Sequence, residues 1–178
     1  MLLTVDDALA LLARLGAPAH LRHHHALVAE AAEELIAGLS DFTACFDPQD
    51  VLLGAALHDV GKLLHPDEVH ARGTRHEEAG RALLEAHGPP RIARFCVSHG
   101  QWNCDALALE DLLVALADKL WKGKRVGKLE QRVVATLARS TRAPAWQVFS
   151  RLDLVFESVA ARGDERLLRS QSEVHPKR

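Results

Sequence analysis

The stretch Val51-Leu-Leu-Gly-Ala-Ala-Leu57-His58-Asp59-Val60-Gly61-Lys62 decides how the rest of the chain reads. Asp47-Pro48 just ahead of it is a helix start, with Asp at the N-cap and Pro at the first helical position, where its missing N–H costs nothing. The run that follows is apolar to Leu57 and lies in a core. His58 and Asp59 therefore emerge from that core at a helix end, with Gly61 as the stop. A buried carboxylate is costly unless it is paired or bound to metal. Neighbouring helical residues point about 100° apart, yet His58 and Asp59 can still converge on one cation, or on two if Asp59 bridges. Taken alone, a His-Asp pair is more simply a core histidine followed by a loop-capping aspartate.

Working outward, the chain alternates helical periods with short breaks. Thr4 caps a helix to about Leu15, with Asp6 and Asp7 in its first turn, where negative charge suits the helix dipole. Gly16 and Pro18 interrupt it, and a second helix spans about Ala19 to Leu39, with Leu21, His24, Val28, Ala31 and Leu35 on one face. A polar loop runs from His65 to Gly73. Thr74-Arg-His-Glu77 is a capping box opening a helix to near Gly88. Pro89-Pro90 starts another, reaching about His99. Gly100 to Asp105 is a loop, Leu107 to Trp121 an apolar helix interrupted by Asp118, and two helices, Leu129 to Arg139 and Pro144 to Ala161, follow. The expected fold is an all-α, single-domain helical bundle over residues 1–169, with a flexible tail over 170–178.

Bulk properties agree. The chain of 178 residues suits one core, and 48% of them are hydrophobic, ordinary for a soluble globular protein. Tyr is absent, so Leu, Ala and Val make the core, and Ala and Leu favour helix. Cys45, Cys96 and Cys104 are odd in number and far apart, which implies neither a disulfide framework nor a Cys-rich zinc site. There is no secretory leader pattern and no apolar run of about 20 residues, so a cytoplasmic protein is expected. A net charge of -2 argues against a long polyanion as partner and leaves a small anionic substrate open.

The unusual count is 11 His, since imidazole is a metal ligand and an acid–base group. His24 lies on an apolar helix face, where one His is usually a core residue. His23 and His25 flank it, so periodicity alone does not choose among the three. Asp118 interrupts an apolar helix; its plain reading is an exposed partner of Lys122 at i,i+4. His76 stands in a first helical turn and His99 at a helix end, where a His suits the dipole.

Together, the order His24, His58-Asp59, His76, His99, Asp118 resembles the HD-domain superfamily of metal-dependent phosphohydrolases over about residues 20–125. Ala55-Ala-Leu-His58-Asp59-Val-Gly61-Lys62 matches its central motif, and Ala117-Asp118-Lys119 its late helix. His24 to Val28 matches the early His-x-x-x-Val, which selects His24 over its neighbours. The resemblance implies a helical fold and metal ligands His24, His58, Asp59 and Asp118, with His76 and His99 marking members that hold two ions. Within the superfamily the pattern is most similar to bacterial enzymes that split diadenosine tetraphosphate symmetrically, through His76-x-x-x-Gly80; it departs from them at His99-Gly100 and Trp102.

Such a donor set suits Fe, Mn, Co, Ni or Zn, and six protein ligands favour two divalent ions. The implied reaction is attack on phosphorus by a hydroxide generated on the metal, cleaving a nucleotide or another small phosphate ester or anhydride. Asp59 and Lys62 would be the catalytic residues. Lys62, Lys119, Lys122 and Arg125 are candidates for binding the phosphates, although basic residues near a helix C-terminus, Lys128 above all, are more simply solvated. Trp102 is a candidate base platform, whereas Trp121 and Trp146 suit the core. Membrane and nucleic acid are not expected partners. Two alternatives share the ligand set: a di-iron oxygenase of the same fold, and a non-catalytic nucleotide-binding sensor.

Overall fold

The computed structural model describes residues 4–69, 71 and 73–172. Among them are α1 (Val5–Arg14), α2 (Ala19–Gly38), α3 (Pro48–Leu57), α4 (Arg75–His87), α5 (Phe95–Ser98), α6 (Leu109–Leu120), α7 (Gly127–Thr141), α8 (Ala145–Ala161) and α9 (Gly163–Ser172), with no strand. No helix of the described residues is long and apolar enough to cross a membrane. The all-α expectation is met.

α3 is the axis of the molecule. Asp47 accepts hydrogen bonds from the N–H groups of Gln49 and Asp50, with Pro48 in the first turn. Beyond that cap, Val51, Leu53, Gly54, Ala55, Ala56 and Leu57 are all buried. α1, α2, α5 and α6 pack around them. A Cβ on Gly54 would come within 2.8 Å of Phe95 and Val114 side chains, so its absence is what lets α3 seat against α5 and α6.

α3 ends at Leu57, and a 3-10 turn over Val60–Leu63 follows. Gly61 has a different role from a helix stop. A Cβ there would lie 1.9 Å from the His76 carbonyl oxygen and 2.5 Å from the Gly80 nitrogen. From the other side, one on Gly80 would lie 2.9 Å from the Gly61 nitrogen. The two glycines let α4 lie backbone-to-backbone against the turn after Asp59. The spacing His76-x-x-x-Gly80 is thus explained by packing.

Several local expectations are corrected. Thr74 makes no side-chain cap on α4; Glu68, in a 3-10 turn over Pro66–Val69, accepts from the N–H groups of Arg75 and His76 instead. The stretch from Pro89 to His99 is not one helix but a 3-10 turn, Pro90–Ile92, and the single turn α5. Trp146 is 68% exposed, outside the core. α9 was not expected: its Arg166 is fully buried and donates to Glu30, Glu34 and the Val159 carbonyl, clamping α9 to α2 and α8. The tail expected from residue 170 begins inside α9; residues 173–178 lie outside the described residues.

Candidate metal centre

Five helices deliver their ends or faces to one place. α2 contributes His24, the end of α3 His58 and Asp59, the first turn of α4 His76, the end of α5 His99, and α6 Asp118 and Lys119. All six expected ligands converge, and all except His24 are more than 90% buried. All but the fully buried His58 line a cleft of about 580 Å3.

Asp59 is at the centre, and its two oxygens divide the histidines. Oδ2 lies 3.3 Å from His24 Nε2 and 3.5 Å from His58 Nε2. Oδ1 lies 3.2 Å from His76 Nε2 and 3.4 Å from His99 Nε2. Asp118 Oδ1 is 3.7 Å from His58 Nε2. The donor atoms of His24, His58 and Asp118 fall within 4.8 Å of one another, as do those of His58, Asp59 and His99.

The far side of three rings fixes which nitrogen faces the centre. His58 Nδ1–H donates to the Ala55 carbonyl at 2.9 Å and His99 Nδ1–H to the Phe95 carbonyl at 3.0 Å, each within its own helical turn. His76 Nδ1–H donates to Glu68 Oε2 at 2.7 Å. A ring whose Nδ1 carries the proton presents a lone pair at Nε2 once it is neutral, and such a backing acceptor is how metal-binding histidines are oriented. The inward atoms are left over. His24 Nε2, His58 Nε2, His76 Nε2 and Asp59 Oδ1 are buried with no hydrogen-bond partner. Buried polar atoms are nearly always satisfied, so several orphaned atoms around one point fit a cation.

Electrostatics agree. Burial alone would keep His58 neutral, but Asp59 and Asp118 outweigh it and push its pKa up to about 9. Burial would raise the carboxyls of Asp59 and Asp118; His58 with the other histidines, and His58 with Lys119 and Lys122, hold them well below the usual range. Without a cation, the site neutralises its two carboxylates with a proton on His58 and with lysines. Lys62 Nζ is 2.5 Å from Asp59 Oδ2, Lys119 Nζ 2.6 Å from Asp118 Oδ2, and Lys122 Nζ 3.9 Å from Asp118 Oδ1.

Of the three consecutive histidines, His25 is the fully buried one. Its ring packs between those of His24 and His58, at 5.5 and 5.3 Å, and burial keeps it neutral. His24 stands at the edge where the apolar face meets the cleft, with Trp121 against its ring at 5.1 Å. Asp118 is buried rather than exposed.

Arg125 does not join the lysines. Its guanidinium donates to Glu130, Asp153 and Glu157, and it does not line the cleft. The expected phosphate contact is corrected on that ground: three carboxylates already occupy the cation. Residues not anticipated are Glu68, behind His76, and Glu77, a buried carboxylate on the cleft wall held by Gln101 Nε2 at 2.8 Å. Their partners lie in other elements, so no local spacing points to them.

A family model described as HD domain matches residues 21–121, more than half of the chain and every residue from His24 to Asp118. The chain belongs to the HD domain family. HD domains are typically metal-dependent hydrolases, and the His and Asp groups of this HD domain could hold a metal. The matched span closes at the end of α6; α7, α8 and α9 lie outside it. No curated protein and no solved structure gives a match.

Proposed function

We propose that this HD-domain protein is a phosphohydrolase that uses two divalent ions to cleave a nucleotide or another small phosphate ester or anhydride. The observation that carries the reading is the division of histidines by Asp59: His24 and His58 face one carboxylate oxygen, His76 and His99 the other. A carboxylate with a histidine pair on each oxygen is built to bridge, and Asp118 completes the His24–His58 side. Divalent ions in this site would supply a hydroxide from water at neutral pH and offset charge on the phosphoryl oxygens.

The chain's own residues do the rest. Asp59 holds the two halves in register. Glu68, Ala55 and Phe95 orient three rings through their Nδ1 protons. Lys62, Lys119 and Lys122 line the same cleft. Each is paired with Asp59 or Asp118 here, and once cations neutralise those carboxylates the ammonium groups become available to phosphate oxygens. This lysine set favours phosphate chemistry over oxidation of C–H bonds.

The test is to purify the protein without chelator, count metals by elemental analysis, and assay the same sample against nucleotides and phosphate esters, diadenosine tetraphosphate included. Two ions per chain and hydrolysis that disappears in Asp59→Ala support the reading. Two iron ions with oxygen consumption and no phosphate release would replace it with an oxygenase, and a metal-free protein would overturn it.

A further inference from the structure

Beside the metal cleft is a second, larger depression of about 840 Å3, between α7 and the loop over residues 100–107. Gly100, next to the ligand His99, lines both. The α7 wall is one helix face: Lys128, Arg132, Thr136 and Arg139, with spacings of four, four and three residues. The opposite face, Leu129, Val133 and Leu137, is buried in the core.

The cations of this face differ from those of α4, α8 and α9. Each arginine of α4, α8 and α9 is ion-paired. Among the described residues, no Asp or Glu pairs with Lys128, Arg132 or Arg139. Arg132 donates to the Trp102 and Cys104 carbonyls at 2.5 and 2.7 Å and so holds the loop as the far wall. Arg139 reaches only the Thr136 hydroxyl. Lys128 and Arg139 are exposed at the two ends of the groove. They are eleven helical positions apart, about 16 Å along the axis. Trp102, partly buried against the core, lines the same groove. Asp105 on the loop also lines the groove, but it pairs with none of these cations, so Lys128, Arg132 and Arg139 outnumber it. In a chain of net charge -2, this local excess of positive charge beside an indole is a recognition surface for an extended anion carrying a flat ring.

We infer that this groove is a second binding subsite, for the part of a nucleotide substrate remote from the scissile phosphate. Phosphate oxygens meet Lys128 and Arg139, and the base lies against Trp102. The word substrate rests on the phosphohydrolase reading; the groove itself does not. A ligand spanning both depressions passes Gly100, so the subsite selects nucleotides over short phosphate esters.

The test is equilibrium binding of the non-hydrolysable adenosine 5′-(β,γ-imido)triphosphate to the full metal-loaded chain. It is compared with Lys128→Ala/Arg139→Ala, with Trp102→Ala, and with Arg14→Ala/Arg81→Ala, a control that removes the same two charges from exposed positions on α1 and α4. Lys128 and Arg139 are exposed, so their removal leaves the core intact; circular dichroism checks this. Affinity at least about tenfold weaker in the double variant, the loss of one or more charge-assisted contacts, supports the subsite when Trp102→Ala also weakens binding and the control does not. Unchanged affinity in the double variant overturns it. A larger loss for inorganic phosphate than for the nucleotide also overturns it, because the groove is then a simple phosphate site. Tighter binding of an oligothymidylate than of the nucleotide overturns it in favour of a nucleic-acid strand. The expected binding pattern with no ester hydrolysed would keep the subsite and remove the hydrolase reading; hydrolysis of nucleotides with the double variant indistinguishable from wild type would do the reverse.

Discussion

His58 and His99 on one hand, and His76 on the other, are oriented by different means. The first two use carbonyls of their own helical turns, Ala55 and Phe95. His76 leans on Glu68, eight residues back in a separate 3-10 turn, which also caps α4 and pairs with Arg75. The contrast is between support built into a helix and support assembled by the tertiary fold. Backbone carbonyls cannot be mutated away and need only the helix to form. The Glu68 carboxylate can be lost in one substitution, and with it both the orientation of His76 and the first turn that carries it. The His76 side of Asp59 is therefore the vulnerable half of the centre.

The largest effect is expected at the pivot between the two halves. Asp59→Ala removes the group both halves share, and elemental analysis should find no retained metal. Next is Gly61→Ala. The new Cβ would meet the His76 carbonyl oxygen and the Gly80 nitrogen, backbone atoms that have no easy way to yield. A loss of about 3 kcal/mol in chemical denaturation is expected, whereas Gly127→Ala, with open space around it, should change stability little.

Glu68→Ala follows. Removing the partner behind a metal-binding histidine costs about 10–100-fold in metal affinity, and the loss should fall on one ion of the pair. Burial would raise the Glu68 carboxyl, but hydrogen bonds from His76 and Arg75 hold its pKa to about 2, so it stays a carboxylate throughout the working range. Glu68→Gln should therefore recover orientation but not charge, and fall between wild type and Ala in a metal titration.

Another expected effect is one of pH. In metal-free protein His58 holds its proton up to about 9, above its ordinary value of 6.5. That contribution to stability is complete below pH 6.5 and lost as pH rises through 9, because deprotonation removes the positive charge that His58 holds between Asp59 and Asp118. The melting temperature of chelator-treated protein should decline across this window. Metal-loaded protein should not show the decline, since the cation replaces the proton; a proton should also be released on metal binding, measurable by calorimetry in buffers of different ionisation heat.

The same contrast explains what was legible in the sequence. Thr4, Asp47-Pro48 and the apolar period of α3 act locally, and the helices they open are where expected. The convergence of the six candidate ligands was legible because their order and neighbours form one pattern. Arg125, Glu68 and α9 were not. Arg125 meets Asp153 and Glu157 about thirty residues onward, and no local spacing reports that. Glu68 displaces Thr74 as the α4 cap because a carboxylate held by Arg75 and His76 reaches two N–H groups at once. α9 docks through a buried arginine rather than an apolar stripe, so hydrophobic periodicity passes over it. Trp146 shows the opposite error: a large apolar side chain suits a core, yet this one stands on the outer face of α8.

On this geometry Asp59 would join two metal positions and His76 would serve only one of them. Elemental analysis of wild type beside His76→Ala tests it most directly. The expected result is two ions per chain in wild type and one in the variant. Equal metal content in the two proteins, or none in wild type, would contradict it.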